Sequence, residues 1–145
     1  MPTLSSISAR RPTVDVVIPV HNNAETIEAV LSGLQAQLSQ GDRVHVVDDG
    51  STDDTLDRVR SLLRGEAKVP PFADRECSRL GDLCLYRTAH QGPAAARNAG
   101  LRNVSADIVL FLGGDTLPAT TLLERHRAIH VSAPEDQVAC LGSVT

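Results

Sequence analysis

Two rhythms of apolar residues alternate along this chain. Near-continuous β-branched or aliphatic runs come at "VDVVIPV" (14–20), "RVHVVDD" (43–49) and "IVLFL" (108–112), with a shorter one at "LCLYRT" (83–88). Such runs predict strands covered on both faces. Between them the apolar spacing lengthens to three and four. Ile27, Val30, Leu31, Leu34 and Leu38 form a helical stripe that ends before Gly41. In "STDDTLDRVRSLL" the stripe is Leu56, Val59, Leu62 and Leu63, with Ser51 or Thr52 as cap and Asp53 and Asp54 at the positive end. "GPAAARNAGLRNV" reads as a helix with Pro93 in its first turn. A last helix is predicted over 118–130 with Leu122, Leu123 and Ile129 inward, and "QVACLGSVT" reads as the start of a strand.

Strand and helix alternate, which predicts an α/β fold: a mostly parallel sheet with helices on both faces. Residues 65–81 contain Pro70 and Pro71 among mixed charges and read as a long surface connection, and residues 1–13 as a loose tail. Ligands in such sheets bind beyond the carboxyl ends of the strands. That directs attention to residues 19–23, 48–50 and 113–115.

A length of 145 residues suits one domain, and 41% hydrophobic with 22% charged residues excludes wholesale disorder. Aromatic residues are only 2%, with no Trp, so there are few platforms for stacking bases or sugars. A net charge of −4 argues against nucleic acid as a partner. Cys77, Cys84 and Cys140 fit neither a zinc pattern nor a disulfide framework, so the expectation is free thiols in a reducing compartment. No apolar stretch has signal-peptide or membrane-spanning form, which predicts a cytoplasmic protein, with peripheral membrane association left open.

The first strand leads into "PVHNNAET", without a Gly-x-Gly-x-x-Gly turn, which excludes a Rossmann dinucleotide site even though Asp48 sits where a ribose-binding acid would. The single lysine, Lys68, lies outside any phosphate-binding loop pattern. In "VVDDGSTDDT" two carboxylates stand where a strand ends. One can accept the imide N–H of a uracil or the hydroxyls of a ribose while the other caps the turn. A turn-and-cap role accounts for residues 51–54 but not for both Asp48 and Asp49.

The segments "VDVVIPVHNNAETIEAVLSGL", "VHVVDDGSTDDTLDRV", "GPAAARNAGL" and "ADIVLFLGGDTLP" occur in the order and spacing of the inverting family 2 glycosyltransferases, which the chain resembles from Val14 to about His130. The resemblance implies a three-layer α/β/α sandwich of GT-A type, here the donor-binding half (14–145) of an incomplete domain. It implies that Pro19, Val20 and His21 line the base and ribose of a nucleotide-diphosphate sugar, with Glu25 nearby. Asp48 and Asp49 would be the base-reading pair, and Arg97 and Asn98 would lie beside the nucleotide. Arg97 has an alternative role, pairing with Asp48 or Asp49 to hold the sheet end.

The family's Asp-x-Asp or Gly-Asp-Asp at the end of "IVLFL" holds a divalent cation. Here it is reduced to Asp115, with Gly113 and Gly114 in the other places, which implies Mg²⁺ or Mn²⁺ at a weakened site. The two glycines can bring backbone N–H groups close to phosphate. "HRAIH", with His126 and His130, is weak evidence for a site, and His45 is expected to be structural. Inverting transfer needs a general base; Glu135 and Asp136 do not match the family's position for it, so none is assigned. The acceptor, whether glycan, lipid or small molecule, is not specified. An apolar face where an acceptor half packs predicts a partner or a homodimer. Two functions follow: a glycosyltransferase or its donor-binding part, and a catalytically inactive nucleotide-binding module.

Overall fold

The computed structural model describes residues 10–63, 75–78, 82–133 and 139–142. Residues 1–9 of the expected tail, most of the 65–81 connection, and Glu135 and Asp136 lie outside the described residues. The elements run β1 (Val14–Val20), α1 (Ile27–Gln35), β2 (Arg43–Asp49), α2 (Thr55–Leu63), β3 (Arg75–Cys77), β4 (Leu83–Thr88), α3 (Pro93–Leu101), β5 (Ile108–Phe111) and α4 (Leu122–Ser132).

The five-stranded sheet has the order β3-β4-β2-β1-β5, parallel throughout except for antiparallel β3. Alternation along the strands creates two cores. Val14, Val16, Ile18 and Val20 join Val44, Val46 and Leu85 beneath α1, α2 and Leu123 of α4. Val47, Cys84 and Tyr86 face the opposite way and pack with Ala96 of α3. There Gly100 lets the helix approach the sheet: an added Cβ would lie 2.6 Å from Val17 Cγ1 and 3.1 Å from Val47 Cγ2. The three-layer arrangement is therefore the expected one.

Several expectations are corrected. The connection contains the short strand β3, and Cys77 and Cys84, directly opposed across β3 and β4, form a disulfide. Of the three thiols only Cys140 is free, so the cysteines no longer support a reducing compartment. Residues 10–13 are tied down: Arg10 and the Thr13 N–H both bind Asp107, each at 2.8 Å. The face of α4 differs too, with Ile129 42% exposed and Arg127 3% exposed. Arg127 turns inward because it donates to the Pro12 carbonyl and pairs with the buried carboxylate of Asp42. Residues 139–142 form no strand, and Leu141 is exposed.

Inside the sheet, Asp15, His45 and Tyr86 form a buried chain, with His45 Nε2 3.3 Å from Asp15 Oδ2 and His45 Nδ1 3.0 Å from the Tyr86 hydroxyl. Burial pushes the Asp15 carboxyl up, but hydrogen bonds from His45, Ser105 and Ala106 outweigh it and hold the group below its ordinary range. His45 is thus structural, as expected. No helix among the described residues is long and apolar enough to cross a membrane.

Candidate functional site

The carboxyl ends of β1, β2 and β5 meet along one rim of the sheet, cross-linked mainly by side chains that bind backbone. Asn22, with φ 54°, occupies the left-handed region that Asn tolerates better than most residues. Its N–H donates to Ser51 Oγ (3.0 Å), and its Oδ1 accepts from the Thr52 N–H (2.8 Å). The Asn23 N–H donates to Thr55 Oγ1 at 2.8 Å and the Ala24 N–H to Asp53 Oδ2 at 3.2 Å. Ser51 and Thr52 therefore staple the loop after β1. Asp53, not either of them, caps α2 by accepting from the Thr55 N–H at 3.0 Å. Thr26 Oγ1 donates to the Gly114 carbonyl at 2.8 Å, tying this loop to the one after β5.

The two acids at the end of β2 divide their tasks. Asp49 Oδ1 accepts from the Gln91 N–H and the Thr88 hydroxyl, both at 2.9 Å, and Oδ2 accepts from the Gly92 N–H at 2.8 Å. It thereby organises the loop that starts α3. Burial raises the Asp49 carboxyl, but the Gln91, Thr88 and Gly92 hydrogen bonds and the nearby His90 outweigh it, leaving the group below its ordinary range. Asp48 is buried on the opposite face. Its Oδ2 meets the Ser51 N–H at 3.4 Å, and its Oδ1 has no hydrogen-bond partner among the described residues.

His21 is exposed, and its Nδ1 lies 2.9 Å from the Asp49 carbonyl oxygen. Pro19 is half-buried, while the Val20 side chain belongs to the core and packs under Gly114. Glu25 is exposed on the loop before α1. Arg97 and Asn98 are exposed on α3, and neither side chain has a hydrogen-bond or ion-pair partner among the described residues. Arg97 therefore does not pair with Asp48 or Asp49; backbone N–H groups and the Thr88 hydroxyl occupy Asp49 instead.

Asp115 is exposed in a turn closed by the Thr116 N–H donating to the Gly113 carbonyl at 3.1 Å. The neighbouring glycines differ. A Cβ at Gly114 would lie 2.8 Å from both Val20 Cγ1 and Asn23 Oδ1, so that position has no room for an acid. At Gly113 the nearest atoms are the ends of the Asp115 and Thr116 side chains, which can move. No group of three or more His, Cys, Asp or Glu that could hold a metal occurs among the described residues. A lone carboxylate matches the way Mg²⁺ is commonly held, by one or two protein carboxylates with phosphates and water. His126 and His130 flank Arg127, which anchors α4 at the amino ends of β1 and β2, so they do not join this rim. Burial, then the charge of His130, lowers the His126 imidazole below its ordinary range.

Pattern reading marked the strand end 19–23 but gave Asn22 and Asn23 no role, and it missed His90. "HNN" directly after a strand was a usable signal for a left-handed turn; nothing local marked His90.

An α/β sheet with polar groups gathered at the carboxyl ends of its strands has the place where open sheets of this class take ligands, and similarity to known proteins names the family. The family model described as glycosyl transferase family 2 matches residues 15–142, and the chain belongs to that family. It is 34% identical over 116 residues to the glycosyltransferase AglE of Haloferax volcanii, covering 79% of this chain and 34% of that protein. It is 36% identical over 111 residues to the pre-mycofactocin glycosyltransferase of Mycobacterium tuberculosis, covering 77% of this chain and 19% of that protein. Among solved structures, the mannosyltransferase PcManGT from Pyrobaculum calidifontis, in complex with GDP-Man and Mn²⁺, superposes with a TM-score of 0.68 at 29% identity, covering 87% of this chain and 34% of that one. TarS of S. aureus in complex with UDP shares the fold, with a TM-score of 0.65 at 24% identity, covering 82% of this chain and 32% of that one. These structural neighbours are GT-A glycosyltransferases. The chain spans 40% or less of the length of these relatives.

Proposed function

We propose that this domain binds a nucleotide-diphosphate sugar across the ends of β1, β2 and β5 and serves a glycosyltransferase that passes the sugar, with inversion, to a glycan, lipid or small-molecule acceptor. The observation that carries the reading is the buried Asp48 Oδ1 without a partner at the rim. An unpaired buried carboxylate oxygen is costly, and such an atom at a ligand-binding rim suits a donor that arrives with the ligand. The unpaired Arg97 guanidinium adds a planar donor fork for a carbonyl or phosphate.

His21 and Glu25 flank the loop that would meet base and ribose, and Asp49 keeps the α3 loop in place. Asp115 would hold Mg²⁺ or Mn²⁺, which when bound neutralises diphosphate charge and stabilises the leaving group. The relatives that contain Mn²⁺ and nucleotides support this reading by similarity. The general base is assigned to no residue of this chain.

The replacement of an acid by Gly113 favours a second reading, a nucleotide-binding module without turnover. Calorimetric titration with UDP, GDP and dTDP, each with and without Mn²⁺, tests the first step. The expectation is metal-strengthened binding of one nucleotide, weakened by Asp48→Asn and stripped of its metal dependence by Asp115→Ala. Absence of binding by the intact chain refutes the proposal. Sugar release from a bound nucleotide sugar separates the enzyme from the inactive module.

A further inference from the structure

His90, which no motif marks, sits against the acid turn. Its backbone packs over Gly50, where a Cβ would lie 3.0 Å from His90 Cβ and 3.2 Å from its nitrogen. Its ring rests on that of His21, with centroids 4.3 Å apart and planes tilted by 32°. His21 Nδ1 at 2.9 Å and His90 Nδ1 at 3.1 Å approach the same acceptor, the Asp49 carbonyl oxygen. A carbonyl only accepts, so both Nδ1 atoms carry hydrogen, and one backbone oxygen fixes the tautomer and tilt of two rings. The Asn22 side-chain amide, 3.4 Å from His21 Nε2, is placed to donate to the lone pair this leaves there. The His90 side chain is 65% exposed, so a large part of the ring surface faces solvent.

Other flat side chains are scarce. The chain has one Tyr, two Phe and no Trp. Among the described residues, Tyr86 is buried against His45, and Phe111 lies on β5, three strands across the sheet from β4; Phe72 lies outside the described residues.

We propose that His90 is a base-stacking residue: the nucleobase lies on its exposed face and extends the His21–His90 stack. The inference rests on the nucleotide-sugar reading and names a residue that reading does not use. Stacking is sequence-tolerant because every base presents a π face. His90 would thus supply affinity for the base, leaving the choice among bases to the polar groups of the rim.

The test is titration of the wild-type chain, His90→Ala and His90→Phe with UDP, with GDP, and with pyrophosphate plus Mn²⁺. Losing one stacked base costs on the order of tenfold in affinity. His90→Ala should therefore weaken the nucleotide that binds by about that factor, leave pyrophosphate unchanged, and be rescued by His90→Phe. The imidazole proton resonances of His90 should move upfield on nucleotide addition and stay in place with pyrophosphate. A thermal melt of His90→Ala confirms that the fold is intact. Nucleotide binding by His90→Ala as tight as wild type, or tighter, overturns the inference alone, as does equal loss of pyrophosphate. A wild-type chain that binds neither nucleotide overturns the inference together with the reading beneath it.

Discussion

Replacing Asp49 by Asn tests whether this carboxylate, before any ligand arrives, is the hub that holds the β4–α3 loop. The charged group accepts three hydrogen bonds, at 2.9, 2.9 and 2.8 Å, and is 3% exposed. An Asn side chain keeps one acceptor oxygen. It can serve either the Gln91 N–H and Thr88 hydroxyl or the Gly92 N–H, and its NH₂ then faces a backbone donor. Hydrogen bonds to a charged group contribute about 1.5–3 kcal/mol each, and a buried donor left unpaired costs about 1–3 kcal/mol. The expected destabilisation is about 2–4 kcal/mol, read from urea unfolding at pH 7. The pH dependence supplies a sharper criterion. The folded carboxyl is depressed below its ordinary value, so its contribution is present above the unfolded pKa, about 4, and is lost as pH falls through the folded value. The difference between wild type and Asp49→Asn should be flat between pH 8 and about 5 and shrink below about 4. A difference under about 0.5 kcal/mol at pH 7, well below one charged hydrogen bond, or one that persists undiminished in acid, refutes the reasoning.

The glycines before Asp115 should respond unequally: Gly113→Asp folds normally and tightens Mn²⁺-dependent nucleotide binding, whereas Gly114→Asp is destabilised by about 1–3 kcal/mol through overpacking. Equal unfolding midpoints for the two variants contradict this. Arg127→Met removes the partner of the buried Asp42 and should cost about 3 kcal/mol in urea unfolding; an unchanged midpoint counts against the ion pair as an anchor of α4. Reducing Cys77–Cys84, which are separated by seven positions, returns loop entropy worth about 2.5 kcal/mol to the unfolded chain. Melting temperature should fall as thiol titration rises from one group to three, and three titratable thiols in untreated protein would disprove the bridge.

Much of the sheet was readable because β1, β2 and β4 are runs largely buried on both faces, which needs no tertiary information; β5 carries the same apolar pattern but lies at the sheet edge, where Phe111 is 47% exposed, so the expected two-face burial fails there. β3 was not, since two charged residues and a cysteine carry no strand pattern and gain one only by pairing with β4. The face of α4 was misjudged because apolar periodicity treats Arg127 as outward, while the distant Asp42 carboxylate draws it in. Ser51 and Thr52 looked like helix caps on local grounds, but Asn22, thirty positions away in the case of Thr52, claims both. For the site, sequence located the strand ends and both acids correctly on the rim. It had no access to their division of labour, which depends on Asp49 facing α3 and Asp48 facing the other layer.

That division explains how the rim can be rigid and still retain free groups. Asp49, Asn22, Asn23, Asp53 and Thr26 are all engaged with backbone or side chains of a neighbouring loop or element. They fix the distances between three strand ends without help from a ligand, as a preorganised site requires. Gly114 belongs to this group, because its carbonyl is held by Thr26 and its missing side chain leaves room for Val20 and Asn23. Among the described residues, the candidate-site groups without partners are different ones, Asp48 Oδ1 and the Arg97 guanidinium, while the exposed Asp115 carboxylate meets only the neighbouring Thr116 hydroxyl at 3.4 Å. Substitutions in the first set should therefore change stability and affinity together, and those at Asp48, Arg97 or Asp115 should change affinity with little loss of stability. Gly113 is the exception that joins the sets: it lies beside the cross-linked loop yet has movable neighbours, so an acid can be added there without dismantling the frame.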